Sequence, residues 1–491
     1  MLRTGSGSRA ATQADNLALV GIALVVAVIH LMTNGRYGFH RDEFQFLSDA
    51  RHLDWGFVAY PPLTPFAERV GLRLFGVSMV GLRLFSVIAQ ALAIVVTGLT
   101  ARELGGGRLA QVTAALAVAT SGLPVFEGTE FQYSTFDYLW WVLIAYFVIR
   151  LLKTENPRWW LAIGVFVGLG LMTKYTIVFF IAGIVSGMVL SSARRYFASA
   201  WFWSGVAVAL LIFAPNIIWQ VQHGFISVHF LQHIHVRDVR QGRANGFVRD
   251  QFKICANLAA APLWIAGVIC FLRERRYRML GWMYLVPFAL FLLGKGRGYY
   301  LAAAYPMLMA MGAVAGERWV ASLGRAWRRV VLGVAFVGMA AYGIFVYAII
   351  VPLAADGPLK QFALKNNGDL REELGWKEMV AMVAGIRDSF PPTNGQASAC
   401  LRGTTGSRAP LRFWGLRMGC RCRSAGRTRR GLGVSCGAAD APDRAGTFQG
   451  YCGQGLYGLP NGGADRQSRG CRQRGERWER VCVRATAAAV A

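Results

Sequence analysis

The fold is indicated first by an apolar run, Leu17-Ala-Leu-Val-Gly-Ile-Ala-Leu-Val-Val-Ala-Val-Ile-His-Leu-Met32. A segment with several charged residues follows it closely, Gly38-Phe-His-Arg-Asp-Glu-Phe-Gln-Phe-Leu47. An uncharged apolar run of about 20 residues can cross a bilayer as one helix. Ionisable residues placed beside such a run are costly and indicate a function. The chain is 54% hydrophobic and only 16% charged, so this arrangement predicts a membrane protein with chemistry at one surface.

Similar apolar runs recur through the first 350 residues and are separated by short polar gaps. A soluble domain does not repeat such runs, so the pattern predicts an all-α polytopic membrane protein with about eleven transmembrane helices. The predicted spans are 15–33, 77–99, 108–124, 134–152, 158–173, 175–192, 200–219, 255–272, 278–294, 299–316 and 329–352.

The distribution of Arg and Lys predicts how the spans are oriented, because cytoplasmic loops carry an excess of cations. Cations cluster before the first span and in every second gap after it, for example at Arg194 and Arg195. We therefore expect a multi-pass membrane protein with a cytoplasmic N-terminus. The loops 34–76 and 220–254 and all residues after 352 would face the outside. The net charge of +27 comes largely from these gaps and from the C-terminal tail, which argues against a nucleic-acid partner.

The first outer loop, 34–76, alternates apolar and charged residues. We expect three short amphipathic pieces that lie in the membrane interface with their apolar faces toward lipid. The apolar residues are Phe39, Phe44, Phe46 and Leu47 in the first piece and Leu53, Trp55, Phe57 and Val58 in the second, and Arg69 and Arg73 mark the third.

Asp42, with Glu43 beside it, is the candidate catalytic carboxylate of this loop. A carboxylate and nearby cations at a membrane surface suit the transfer of a sugar from a lipid phosphate. The carboxylate takes the proton of the acceptor hydroxyl, and Arg41 or other cations stabilise the leaving phosphate. The alternative is an interfacial ion pair of these carboxylates with Arg36 or Arg41.

Further polar residues are predicted on the same outer face and could bind substrate: Asp137, Lys174, Lys295, Arg297, Tyr299 and Tyr300. The cations occur where the orientation rule expects few of them, which favours phosphate binding. Two simpler interpretations stay open. Asp137 could interact favourably with a helix dipole, and the cations could reach from the span ends into the headgroup region.

No metal site is assigned from the sequence. His229 and His233 have the i, i+4 spacing of a metal pair, and Cys420 and Cys422 are two residues apart, but neither pair belongs to a closed ligand set. The sequence therefore requires no certain cofactor and leaves a divalent metal ion as an open alternative.

The composition changes abruptly at Cys400. The tail 400–491 has 17 Arg, no Lys and seven of the nine Cys, and it has no hydrophobic periodicity. We expect it to be disordered or translated out of frame. Residues 355–399 instead carry an amphipathic helical pattern and predict the start of a small outer α/β domain, which is incomplete or frame-shifted here. The membrane domain is then 1–354.

Several of these segments together resemble bacterial glycosyltransferases of family 39, relatives of protein O-mannosyltransferases and of the aminoarabinose transferase that modifies lipid A. They are the Gly38–Leu47 segment, His52-Leu-Asp-Trp-Gly56, Tyr60-Pro-Pro-Leu63, Gly168-Leu-Gly-Leu-Met-Thr-Lys-Tyr175, Ala214-Pro-Asn-Ile-Ile-Trp-Gln220 and Lys295-Gly-Arg-Gly-Tyr-Tyr-Leu-Ala-Ala-Ala-Tyr-Pro306. The resemblance covers about 15–390, and departs from the family at Ala303, where a proline is usual, and after 395.

The resemblance implies the GT-C fold, a polyprenyl-phosphate sugar donor and an acceptor at the outer side of the cytoplasmic membrane. The acceptor could be a lipid, a lipopolysaccharide or a protein. It also implies Asp42 as the catalytic Asp, Glu43 beside it, Asp137 as a second outer-face carboxylate, and donor-phosphate contacts at Lys174, Lys295 and Tyr299. We therefore expect an inverting glycosyltransferase. The alternatives are a flippase for a lipid-linked sugar and an inactive truncated family member.

Overall fold

A computed structural model of the chain describes the backbone of residues 4–388 and the side chains of residues 12–385. Within this range the chain is helical and has no β-strand. The α-helices are α1 (Thr4–Thr33), α2 (Arg41–Arg51), α3 (Leu63–Phe75), α4 (Met79–Glu103), α5 (Arg108–Ala119), α6 (Gly122–Glu127), α7 (Tyr133–Thr154), α8 (Trp159–Leu171), α9 (Ile177–Val189), α10 (Ala200–Gln222), α11 (Ile226–Arg240), α12 (Phe247–Lys253), α13 (Ala261–Arg273), α14 (Arg278–Leu293), α15 (Tyr305–Ala321), α16 (Arg325–Ile350), α17 (Pro358–Asn366), α18 (Gly368–Glu372) and α19 (Trp376–Asp388). Short 3₁₀ helices cover Ser192–Ala198, Leu258–Ala260 and Gly298–Ala304.

Each of the eleven predicted spans overlaps a helix of the structure. Six helices in the described part of the chain are long and apolar enough to cross a membrane, or up to eight if two bent helix pairs each form one span. The helices α5, α8 and α14 are apolar but shorter. The multi-pass helical architecture is therefore confirmed, whereas the count of eleven stays a prediction.

Small residues bring the membrane helices close together. A Cβ atom at Gly164 on α8 would collide with the carbonyl oxygen of Gly205 on α10, and one at Gly312 on α15 would collide with that of Leu263 on α13. Such small-residue contacts are the usual way in which membrane helices gain packing energy, because lipid gives no hydrophobic force between them. The loops are therefore attached to closely packed helices.

The first outer loop differs from the interfacial arrangement that the sequence predicts. Helix α2 forms as expected, but Phe44, Phe46 and Leu47 are at most 2% exposed and pack against protein. Phe44 and Leu47 pack with Leu82 of α4 in one apolar cluster. The second predicted piece, 53–58, is irregular, while the third forms α3. An amphipathic pattern shows only that one face is apolar, and here that face meets protein rather than lipid.

The segment after the last span packs on this loop. The Tyr37 hydroxyl donates to the carbonyl oxygen of Ala354 at 2.9 Å, and the Gly38 amide donates to that of Glu373 at 3.1 Å. A side chain at Gly38 would collide with the Glu373 carbonyl, so this approach requires glycine. Trp376 lies edge-on to Phe44, with ring centroids 5.4 Å apart. Residues 358–376 thus form one wall of the loop.

Residues 389–491 lie outside the part of the chain that the structure describes. The predicted remainder of an α/β outer domain, the predicted disorder or frame shift of 400–491, and the Cys420 and Cys422 pair all fall there. These expectations stay predictions, while the helical start of the outer segment is present as α17, α18 and α19.

Candidate active site

The candidate site begins at the N-terminus of α2. His40 is the N-cap residue, and its Nδ1 lies 3.3 Å from the amide nitrogen of Asp42. Glu43, three residues after the cap, accepts from the His40 amide at 2.7 Å, as the third helical residue of a capping box does. Histidine is an uncommon cap compared with Ser, Thr, Asp or Asn. The cap therefore places an ionisable ring two residues from Asp42.

Glu43 points into the protein, where its hydrogen bonds are fully used. Arg83 of α4 donates from Nε to one oxygen at 2.8 Å and from Nη2 to the other at 2.7 Å. The Phe131 amide also donates to Glu43 at 2.8 Å. Both Glu43 and Arg83 are 1% exposed. A carboxylate held by a buried two-pronged ion pair anchors the loop, so the geometry gives Glu43 a positioning role rather than contact with substrate.

Asp42 points outward instead. Its side chain is 43% exposed, and its Oδ1 lies 3.2 Å from Nε of Arg41. Successive residues on a helix are rotated by about 100°, so Asp42 and Glu43 face different environments although they are adjacent. Of the two acidic residues predicted to be catalytic, Asp42 is the one that a substrate could reach in this structure.

His40 lies between two carboxylates. Its Nδ1 is 3.3 Å from Glu130 and its Nε2 is 3.3 Å from Glu372. Burial lowers the pKa of His40, but the negative charges of Glu130, Glu372 and Asp42 outweigh burial and raise that pKa to about 10. His40 is therefore held as an imidazolium at neutral pH, with each ring nitrogen beside a carboxylate.

A buried charge cluster surrounds this imidazolium. Arg83 lies 3.2 Å from Glu373 as well as beside Glu43. Burial raises the pKa of Glu130 to about 8 and that of Glu373 to about 7, and neighbouring carboxylates add to both shifts. Three buried carboxyl groups face only two cations, Arg83 and His40. The cluster is neutral when one of Glu130 and Glu373 keeps a proton, and this is the state that burial favours.

A second group of predicted residues surrounds Lys174. Its ammonium lies 5.2 Å from the ring centroid of Tyr133, 5.7 Å from that of Tyr299 and 4.9 Å from that of Tyr300. All three distances lie within the range of cation–π attraction. The side chain is only 12% exposed, and Asp137 lies 4.0 Å away. The structure thus brings together residues that the sequence singled out separately, namely Lys174, Asp137, Tyr299 and Tyr300.

Asp137 is fixed by its neighbours on the protein side. It accepts from Nε1 of Trp141 at 3.1 Å and from the Thr176 hydroxyl at 3.2 Å. Asp137 therefore orients and balances Lys174, while the tyrosine rings line the rest of the cage.

Arg297 adds further positive charge near this cage. It donates to Asp238 at 2.7 Å and to the Tyr299 hydroxyl at 3.3 Å. Asp238 also accepts from Arg237 and Arg243, so three guanidinium groups share one carboxylate. This excess of positive charge favours an anionic ligand.

Tyr133 connects the two groups. Its ring is part of the Lys174 cage, and its hydroxyl lies within electrostatic range of both Asp42 and Arg297. Glu127 lies behind it and accepts from the Ser134 and Thr135 hydroxyls. Burial raises the pKa of Glu127 to about 7, although these hydrogen bonds and Lys174 act against the shift. Tyr133 is thus in contact with Lys174 and within electrostatic range of Asp42.

Lys295 and the pair His229 and His233 are predicted residues at exposed positions. Lys295 is exposed with a left-handed φ of 50°, and no described contact joins it to the cage. His229 and His233 lie on exposed positions of α11. Among the residues with described placement, no group of three or more His, Cys, Asp or Glu side chains could hold a metal ion. His40 approaches its two carboxylates through opposite ring nitrogens, which one ion cannot bridge.

The sequence did not single out several residues of the site as functional: His40, Arg83, Glu127, Glu130, Tyr133, Glu372 and Glu373. Arg83 carried a usable signal, since an arginine inside an apolar span needs a buried partner. Tyr133 and Glu130 stood beside Asp137 in the sequence. Glu372 and Glu373 had no such signal, because their contacts are with residues 290 to 335 positions earlier in the chain.

Parts of the chain are similar to known proteins. Residues 59–219 match the family described as dolichyl-phosphate-mannose-protein mannosyltransferase. The chain is 27% identical over 256 residues to the lipid A galacturonosyltransferase RgtD of Rhizobium johnstonii. That match covers 50% of this chain and 53% of the relative, so the chain spans about half the length of the curated relative that it matches.

The fold is similar to that of ArnT from Cupriavidus metallidurans in its crystal structure bound to undecaprenyl phosphate. The TM-score is 0.55 and the sequence identity 17%, and the alignment covers 80% of this chain and 84% of the other. At this identity the likeness bears on the fold alone. With the apolar helices it confirms the predicted multi-pass, all-helical membrane architecture.

Proposed function

We propose that this chain transfers a sugar from a polyprenyl-phosphate donor to an acceptor at the outer face of the bacterial inner membrane. Its predicted resemblance to family 39 glycosyltransferases with the GT-C fold is confirmed. One observation carries the proposal. Tyr133 contacts the caged Lys174 and lies within electrostatic range of the exposed Asp42, which supports a base and a phosphate-binding cation acting at one site.

Asp42 is the base of the proposed reaction. The acceptor hydroxyl oxygen attacks the anomeric carbon of the donor, its proton passes to the Asp42 carboxylate, and the bond between that carbon and the phosphate oxygen breaks. The phosphate leaves with the electron pair of that bond. A base on the face opposite the leaving group inverts the anomeric configuration. The half-exposed Asp42 side chain suits this role, whereas Glu43 is fully occupied by Arg83.

Lys174 and Arg297 are the cations that would hold the leaving phosphate, whereas Arg41, which lies beside Asp42, would bind substrate on the side of the base. Negative charge grows on that phosphate as the glycosidic bond breaks, and positive groups fixed in advance stabilise it without reorganisation. Tyr299 and Tyr300 keep Lys174 in place and add aromatic surface beside the phosphate. Lys295 has no described contact with this group, so we assign it a peripheral contact only.

Polyprenyl phosphate is the proposed donor carrier, because a solved neighbour of the same fold is bound to undecaprenyl phosphate. The matched relative is a lipid A galacturonosyltransferase, which favours a glycolipid such as lipid A as acceptor and a uronic acid as the sugar. A protein hydroxyl is the second candidate acceptor, since the matching family is named for protein mannosylation. No metal step enters the mechanism.

The orientation that places this site outside the cell rests on the cations of the alternating gaps. A flippase would be expected to bind its substrate near the middle of the membrane, in broken helices. Here the ionisable residues of the candidate site lie at the ends of spans or in loops, which favours a transferase. An assay of sugar transfer also tests the alternative of an inactive, truncated family member.

The deciding experiment uses the full chain in nanodiscs with undecaprenyl phosphate that carries galacturonic acid, mannose or aminoarabinose. Lipid A and a peptide rich in Ser and Thr serve as acceptors, and mass spectrometry detects products. We expect transfer with one donor, lost in Asp42→Asn and kept in Asp54→Asn. Lipid translocation without transfer would favour the flippase. Absence of transfer from every donor, with intact folding, would contradict the proposal.

A further inference from the structure

Glu372 lies at the end of α18 and touches both residues that precede Asp42. Its Oε2 is 2.9 Å from Nη1 of Arg41 and 3.3 Å from Nε2 of His40. It comes from the segment after the last membrane span, whereas Arg41 and His40 come from the first outer loop. One carboxylate therefore connects two distant parts of the sequence directly beside the proposed base.

We propose that Glu372 is a positioning residue for the sugar transfer, which holds Arg41 and His40 in the arrangement that leaves Asp42 available to the acceptor. This inference rests on the proposed function. It makes the segment 367–376 a working part of the active site rather than a separate outer element.

Glu372 acts first through Arg41. Its guanidinium lies between two carboxylates, with Nε 3.2 Å from Asp42 and Nη1 2.9 Å from Glu372. Arginine can bind one carboxylate through two parallel hydrogen bonds. Glu372 holds the guanidinium group by Nη1, and in this position only Nε contacts Asp42. Without Glu372, Arg41 is free to pair fully with Asp42, which would lower the basicity of the proposed base and block its approach to the acceptor.

Glu372 acts also through His40. Its Nε2 side faces Glu372, and its Nδ1 side faces Glu130, the Gln132 amide and the backbone amide of Asp42. Glu43 and Asp42 act on it from α2, Asp369 acts from α18, and Arg243 acts on Glu372 from the loop after α11. Glu372 thus fixes the ring that caps the helix carrying Asp42.

The exposure of Glu372 separates this role from a structural one. Its side chain is 38% exposed and lines a cavity of about 280 Å³ with Arg41 and Trp376. Partly exposed ion pairs of this kind contribute little to stability, so Glu372→Gln should fold. The neighbouring Glu373 is buried against Arg83, and its removal would instead destabilise the fold. Glu378→Gln, on an exposed position of α19, removes the same charge from the same segment and is the matched control.

The test compares the full-length wild type, Glu372→Gln, Glu372→Asp and Glu378→Gln in nanodiscs, with the sugar-bearing undecaprenyl phosphate that the wild type uses. We expect kcat to fall about 10- to 100-fold in Glu372→Gln, as misplacement of a catalytic group does. Partial recovery is expected in Glu372→Asp, and wild-type kcat in Glu378→Gln. In an Arg41→Gln background, Glu372→Gln should lower kcat by a much smaller factor. Wild-type kcat in Glu372→Gln, or full additivity with Arg41→Gln, would overturn the proposal.

A second readout does not depend on transfer. Nitrogen-15 NMR of labelled histidines, with the His40 signal assigned from His40→Gln, measures when that ring loses its proton. Removing one neighbouring carboxylate should lower the pKa of His40 in Glu372→Gln and leave it unchanged in Glu378→Gln. An unchanged His40 titration in Glu372→Gln would overturn the contact itself. If the wild type transfers no sugar, the proposed function fails, and this measurement still decides whether Glu372 holds His40.

Discussion

Arg83 and Glu43 form a two-pronged ion pair in which Nε and Nη2 of the arginine lie 2.8 and 2.7 Å from the two oxygens of the glutamate. The arginine lies on a membrane helix and the glutamate on the outer loop, one residue after Asp42. The pair therefore fastens the loop that carries the proposed base to the membrane domain.

Replacing Arg83 should destabilise the protein, because Glu43 and Glu373 would be left as buried, unpaired carboxylates. We expect Arg83→Met to lower stability by about 3–5 kcal/mol, as broken buried ion pairs do. Thermal unfolding in nanodiscs, followed by loss of the folded form on size-exclusion chromatography, measures the change. Arg73→Met, on an exposed position of α3, is the control and should unfold like the wild type. Equal midpoints for Arg83→Met and wild type would contradict the anchoring role.

Asp42 and Glu43 should separate activity from stability. Asp42→Asn should reduce kcat by about 10²–10⁴-fold, the usual contribution of general base catalysis, while its half-exposed side chain leaves the unfolding midpoint nearly unchanged. Glu43→Gln should lower the midpoint, because it weakens the pair with Arg83 and the cap of α2. Measuring kcat and unfolding on the same preparations tests both. If Glu43→Gln lost kcat at full stability, Glu43 would contact substrate after all.

This difference between adjacent residues shows where sequence reasoning ends. Apolar runs long enough to cross a bilayer predict membrane helices because the bilayer core leaves unpaired backbone groups no partner. The pattern around Asp42 also predicts a short helix. It does not predict which way the helix faces, since Phe44 and Leu47 could meet lipid or Leu82 with equal gain in burial. That choice decides that Glu43 is buried and Asp42 is exposed.

The residues around Lys174 illustrate the same limit. Their types and positions near span ends indicated phosphate binding, but the cage depends on contacts between Tyr133, Lys174 and Tyr300, which come from three parts of the chain. Periodicity carries no information about such contacts. The docking of Glu372 and Glu373 on the first loop was missed for the same reason.

Lys174 should determine binding of the lipid phosphate. Lys174→Met is expected to weaken undecaprenyl phosphate binding about tenfold or more, because it removes the ammonium held by Asp137 and the three tyrosines. Tryptophan fluorescence or microscale thermophoresis in nanodiscs measures this Kd. The control Lys295→Met removes the same charge from an exposed position outside the cage and should change Kd less than twofold. Equal effects of the two variants would show that charge alone, rather than the cage, attracts the phosphate.

The pH dependence of stability should follow the charge cluster around His40. The pKa of His40 is raised to about 10 from an ordinary value of 6.5, so its stabilising contribution is complete below about pH 6.5 and is lost as pH rises toward 10. The pKa values of Glu130 and Glu373, raised by burial to about 8 and 7, act in the same direction. Their carboxyl groups keep protons in the folded state that the unfolded chain releases above pH 4.5, so stability falls as pH rises to those values. The unfolding midpoint should therefore be higher at pH 6 than at pH 9.5, and His40→Gln should flatten the alkaline part of this slope. A midpoint that rises between pH 6 and 9.5 would mean that the carboxylates of the cluster are ionised and that His40 is neutral.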